Sequence, residues 1–274
     1  MKHRIAMTGA AGILAAFCCE ASAEQITPEE LADLPPADVV ILGEVHDNPI
    51  HHANQTAAVG AIGAKALVFE MLTDAQALQV RPQFLVSEEA LEGALGWSES
   101  GWPDFAMYYP IFVAAKDLSY FGGALPRDEV RRAVGEGAAA VFGDGSTMFG
   151  LDLPLPEEEQ LVREAGQLEA HCDALPEAML GGMVEAQRLR DAALARAVIA
   201  AFQETGGPVA VIAGAGHART DWGVPAALAL AAPELTVLSI GQMEAPPEGE
   251  PPYDLWLVTE PAERDDPCAG FAQE

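Results

Sequence analysis

The chain has 274 residues, is 50% apolar by residue type and has a mean hydropathy of +0.13, enough for the core of one large α/β domain. This composition excludes a disordered chain. With 14 Lys and Arg against 42 Asp and Glu, a net charge of -28, the surface repels phosphate backbones and anionic bilayers, so no nucleic-acid partner is expected.

Residues 1–23 read as an export leader: Lys2, His3 and Arg4 are basic, residues 5–17 are apolar, and Ala21-Ser22-Ala23 is an A-x-A cleavage site, so the mature chain begins at Glu24. Lipid anchoring is not expected, because Cys18 follows the bulky Phe17 and Cys19 follows Cys18, whereas a lipidated cysteine ordinarily follows a small residue. No other run reaches the roughly 18 apolar residues of a membrane span. The expected location is therefore the periplasm. Of the four cysteines, Cys172 and Cys268 remain after cleavage. An oxidising compartment can join them, although their separation in sequence says nothing of their distance in space.

Five β-rich apolar runs read as strands, at 38–42, 66–69, 209–213, 235–240 and 254–258, with a weaker one at 118–121. Their alternation with helical patterns predicts an α/β fold, a mostly parallel central sheet flanked by helices. Residues from about 82 to 205 far exceed one crossover helix, so a helical subdomain is expected as an insertion within a single domain, 24–274. Its predicted helices are 104–116, 127–141, 156–169 and 176–203, and Pro126, Pro156 and Pro176 sit near helix starts, where a missing N–H does no harm. The last fifteen residues, rich in Asp, Glu, Pro and Gly, read as a frayed tail.

The first strand ends in Gly43-Glu44-Val45-His46, and side chains i and i+2 of an extended chain point the same way, so Glu44 and His46 converge. They do so at a strand's carboxyl end, where α/β sheets form ligand crevices. Gly214-Ala215-Gly216-His217 repeats the design after the 209–213 strand, and Glu70 directly follows the 66–69 strand. If these strands are parallel neighbours, Glu44, His46, Glu70 and His217 gather in one pocket. Two imidazoles with two carboxylates suit a divalent metal ion with open positions or a proton-transfer site. His51 and His52 follow at the start of the next helix. Adjacent helical side chains point about 100° apart, so at most one joins His46; the other reading is that they cap and solvate the helix.

Trp97, Trp102, Tyr108, Tyr109 and Phe112 crowd together in a chain that is only 7% aromatic, and Arg127, His171, Met179, Met183, Arg188 and Arg190 follow. Such a group suits a cleft for a flat, iron-bearing macrocycle ligated by Tyr, His or Met. Helical core is the plainer reading of the same rings.

The runs LGEVHDNPIHHANQ (42–55), VFEM (68–71), GWPDFAMYYPIF (101–112), LPRDEVRRAV (125–134), HCDALP (171–176), MVEAQRLRDAALA (183–195) and AGAGHARTDWGVP (213–225), taken in order, resemble the ChaN-type haem-binding uptake proteins of the Tiki superfamily. The resemblance implies an exported haem-binding protein of haem and iron uptake, dimerising around haem and serving an uptake-system component. It leaves the axial ligand open among Tyr108, Tyr109, His171 and the His46/His217 pair, and implies Arg127, Arg188 or Arg219 near the propionates. Relatives in the wider superfamily use both Gly-x-x-His motifs and the acid for metal-dependent peptide cleavage. The implied alternative is thus a hydrolase in which His46, His217 and Glu44 or Glu70 hold a divalent cation and the remaining Glu acts as base. Haem binding without catalysis is the preferred expectation.

Overall fold

The computed structural model describes residues 22–266, 268 and 269; residues 1–21 of the expected leader lie outside the described residues. Among the described residues, seven strands form one sheet: β1 (Glu24–Gln25), β2 (Val39–Glu44), β3 (Ala66–Phe69), β4 (Ser119–Gly122), β5 (Val209–Gly214), β6 (Val237–Met243) and β7 (Leu255–Val258). Their order is β1-β7-β6-β2-β5-β3-β4, and every pairing is parallel. A parallel sheet is covered on both faces, which is why β2, β3 and β5 read as unbroken apolar runs rather than alternating ones. All of their residues are buried.

Among the described residues, ten α-helices flank the sheet: α1 (Pro49–Ile62), α2 (Asp74–Ala77), α3 (Glu88–Leu95), α4 (Phe105–Ala114), α5 (Arg127–Glu136), α6 (Ala138–Phe142), α7 (Glu157–Ala170), α8 (Glu177–Thr205), α9 (Ala215–Ala218) and α10 (Val224–Ala231). The period-2 alternation of strand side chains sorts the core into two layers. Val40, Leu42, Leu67 and Phe69 face α1, α3 and α4, meeting Val59, Leu91, Ile111 and Phe112. Val39, Ile41, Ala66 and Val68 face α8 and α10, meeting Leu189, Val198 and Leu228. No helix among the described residues is long and apolar enough to cross a membrane.

The weaker strand expected at 118–121 is present as β4, which pairs with β3 and extends the sheet by one edge strand. Two features depart from the sequence expectations. The helix expected over 127–141 is two, because Gly137 takes φ +86°, a conformation that ends α5 before α6 begins. The described part of the tail, up to residue 266 with 268 and 269, is tied down rather than frayed. Arg264 bonds Asp47 and Glu244, and a Cys172–Cys268 disulfide with Cα atoms 5.4 Å apart joins the tail to the turn between α7 and α8.

Candidate functional site

The carboxyl ends of β2, β5 and β3 lie side by side, and the register aligns Glu44 with Gly214 and Phe69 with Ile212. The two Gly-x-x-His segments are therefore one residue out of step, Gly43 standing opposite Ala213. They also differ in form. His46 sits in the turn after β2, whereas His217 lies in the short helix α9. Both imidazoles nevertheless reach the same place.

There they form a chain of alternating acids and imidazoles. Tyr108 Oη donates to Glu44 Oε1 at 2.8 Å, and His46 Nδ1 lies 2.8 Å from the same oxygen. His46 Nε2 is 3.9 Å from Glu70 Oε2, which accepts the Gly214 N–H at 2.7 Å. Glu70 Oε1 is 3.3 Å from His217 Nε2, and His217 Nδ1 is 2.6 Å from Asp191 Oδ1. Glu44, Asp191 and His217 are buried, while the His46 side chain keeps 33% of its surface exposed. His46 is thus the solvent-facing member of an otherwise enclosed array.

Charge pairing governs the protonation of this array. Burial alone would lower the His217 pKa, but the charges of Glu70 and Asp191 outweigh it and push it up to about 10. Burial likewise opposes ionisation of Glu70, yet the charge and hydrogen bond of His217 and the charge of His46 bring it down to about 2. Burial raises the Asp191 carboxyl against the pull of His217. His46 is raised, because the Glu44 hydrogen bond and the Glu70 and Glu44 charges exceed its own desolvation. Among the described residues, no group of three or more His, Cys, Asp or Glu is disposed to hold a metal ion. The array closes on itself through ion pairs instead.

Above it opens a cleft of about 1010 Å³, whose floor is Glu44, His46, Glu70 and His217. Trp102 forms one wall, its ring 4.9 Å from that of His46, and Gly214 forms the opposite contact. A Cβ on Gly214 would stand 2.8 Å from His46 Nε2, so only glycine leaves the imidazole this position. Gln187, Arg190 and Leu194, one face of α8, and Arg127, Val130 and Arg131, one face of α5, complete the cleft.

Several residues singled out from sequence stand elsewhere. Tyr108 is fully buried behind Glu44, and burial with the Glu44 charge raises its pKa, so it holds the floor from beneath. Tyr109 donates to the Leu85 carbonyl, outside the cleft. His171 ends α7 with Nδ1 2.7 Å from the Gln167 carbonyl oxygen, and is not part of the cleft lining. Arg188 is buried on Glu185 and the carbonyls of Gly150 and Leu153, and Arg219 pairs with Asp221 over the Trp222 ring. His51 accepts the Val45 N–H and bonds Thr259, and burial lowers its pKa to about 4. His52 lies under the turn, with Nε2 2.8 Å from the His46 carbonyl oxygen and Nδ1 3.3 Å from Glu44 Oε2. Of the residues expected to meet cofactor, Arg127 and the His46/His217 pair line the cleft.

Asp191 and the role of Trp102 escaped the sequence reading. The signal for Asp191 was a lone acid in the run RDAALARA of α8, where every neighbour but the arginines is apolar. A buried helix carries such a residue only with a partner.

A family model described as haem-binding uptake, Tiki superfamily, ChaN, matches residues 31–228. Among solved structures, "Cofacial heme binding to ChaN of Campylobacter jejuni" is similar with a TM-score of 0.62 and 17% identity, over 83% of this chain and 89% of that one. "The structure of the type III effector HopBA1" gives a TM-score of 0.48 and 12% identity, over 85% and 92%. No curated protein matches in sequence.

Proposed function

We propose, from the premise that this chain belongs to the ChaN haem-binding uptake family of the Tiki superfamily, that its cleft holds haem and that His46 is the residue facing the iron. The observation that carries this is the pairing of His46 Nδ1 with buried Glu44 at 2.8 Å, in a cleft walled by Trp102. A carboxylate on one ring nitrogen fixes the orientation of a histidine whose other nitrogen meets a metal. The nearest acid to Nε2, Glu70, is 3.9 Å away, beyond a hydrogen bond. The cleft, about 1010 Å³, is at the upper end of ligand-pocket sizes, which suits a macrocycle rather than a small metabolite.

Bound haem would supply an iron centre. The protein's part is to orient His46 through Glu44 and Tyr108, and to exclude water with Trp102. Tyr108 is a support and not a ligand on this reading, since its hydroxyl is committed to Glu44. The reading also takes the protein to be exported to the periplasm for iron uptake, with a homodimer and an uptake-system component as partners. The Cys172–Cys268 disulfide supports an oxidising compartment. Both nitrogens of His217 pair with carboxylates, Asp191 on Nδ1 and Glu70 on Nε2, which leaves His46 Nε2 as the imidazole nitrogen proposed to meet iron.

Titration of the mature protein with hemin tests the reading. A saturable Soret shift that moves or vanishes in His46→Ala and persists in Tyr108→Phe is expected. Absence of saturable binding, or a Soret band unchanged by His46→Ala, overturns it.

A further inference from the structure

The chain carries a net charge of -28, yet three of its 14 Lys and Arg residues border this one cleft. They come from two helices. Arg127 and Arg131 share a face of α5, and Arg190 lies on the face of α8 that also presents Gln187 and Leu194. The helices run antiparallel. Gly123, just before α5, abuts Leu194, while Val134, late in α5, abuts Gly182, where a Cβ would meet the Val134 carbonyl oxygen at 2.3 Å. The start of α5 therefore stands opposite the stretch of α8 that bears Arg190.

These cations are not spent on the protein's own acids. Among the described residues, Arg131 and Arg190 make no ion pair, and Arg127 donates to the Ser100 carbonyl. Of the acids on these two helices, Glu136 pairs with Arg132, Glu185 pairs with Arg188, and Glu129 lines a neighbouring hollow. The two acids of the cleft, Glu44 and Glu70, face imidazoles at its floor. All three arginines are exposed at the border of the cleft, and an excess of cation there, on an otherwise acidic surface, raises the local potential for anions.

We propose that Arg127, Arg131 and Arg190 form a carboxylate-recognition wall, which grips the two acidic side chains of a tetrapyrrole while its ring lies toward Trp102 and His46. The proposal rests on the haem reading and adds to it the residues that fix the ligand's orientation. It replaces Arg188 and Arg219 in that role. Guanidinium groups match carboxylates bidentately, so the wall discriminates a free diacid from its ester.

Calorimetric titration with iron-free protoporphyrin IX and with its dimethyl ester separates this wall from the iron ligand. The diacid is expected to bind the wild-type protein, the ester about tenfold more weakly, and the double variant Arg131→Gln, Arg190→Gln to lose about tenfold in diacid affinity with Arg132→Gln unchanged. Higher salt should weaken diacid binding. Equal affinity for diacid and ester, or undiminished binding in the double variant while hemin still binds, overturns the wall and leaves the haem reading standing. If diacid binding is arginine-dependent but hemin shows no His46-dependent band, the wall stands and the iron-ligand reading falls. If neither porphyrin binds, both fall.

Discussion

His217 and Asp191 meet at 2.6 Å between Nδ1 and Oδ1, both enclosed, and the other face of the same imidazole turns to Glu70 at 3.3 Å. The long helix α8 thereby supplies Asp191, which with Glu70 holds the His217 cation between two acids. Removing one partner of a buried pair leaves the other uncompensated, which is costlier than never having had the pair. Asp191→Asn is expected to destabilise the fold by about 3 kcal/mol in denaturant titration. A loss below about 1 kcal/mol would mean that Glu70 alone carries His217.

The same array shapes stability against pH. His217, with a folded pKa of about 10 and an ordinary value of 6.5, contributes fully below pH 6.5 and loses its contribution as pH rises through 10. Glu70, near 2 when folded against 4.5, contributes above pH 4.5 and is lost as pH falls toward 2. His51, held neutral with a pKa of about 4 against 6.5, destabilises the fold as pH falls from 6.5 toward 4. The three together place the maximum near pH 6.5. Thermal unfolding across pH should show it, and His217→Gln should flatten the alkaline limb; a maximum above about pH 8.5 would contradict this assignment.

Two glycines of one segment give a paired test of how His46 is seated. Gly214 has no room for a Cβ, which would fall 2.8 Å from His46 Nε2, whereas a Cβ on Gly216 would meet nothing within 4 Å. Gly214→Ala should push the imidazole aside and weaken hemin binding by at least about tenfold, the order expected when overpacking costs 1–3 kcal/mol. Gly216→Ala should leave binding as it is. Equal effects of the two would show that the ring can move freely.

Much of this was legible in the residues because parallel strands buried on both faces leave long apolar runs. The run at 66–69 is β3 to the residue, and the polar groups at or just after the ends of β2, β3 and β5 mark the cleft floor. Glu44, His46, Glu70 and His217 did converge. Asp191 was hidden because helix periodicity separates faces but does not say which face a sheet edge will meet. Arg131 and Arg190 were hidden for a similar reason: which arginines share a cleft depends on the antiparallel packing of α5 and α8, a tertiary fact. The carboxyl-terminal stretch misled by composition, since an acidic, proline-rich run looks loose unless one knows that Arg264 will find Asp47 and Glu244.

Trp102, whose ring lies 4.9 Å from that of His46, has one more consequence. An indole at van der Waals range of an imidazole loses excited-state energy to it when the imidazole is protonated, and would lose far more to a porphyrin in the same cleft. The protein therefore carries its own optical gauge: emission from this indole, isolated by replacing Trp97, Trp222 and Trp256 with phenylalanine, reads the state of the cleft without any attached dye.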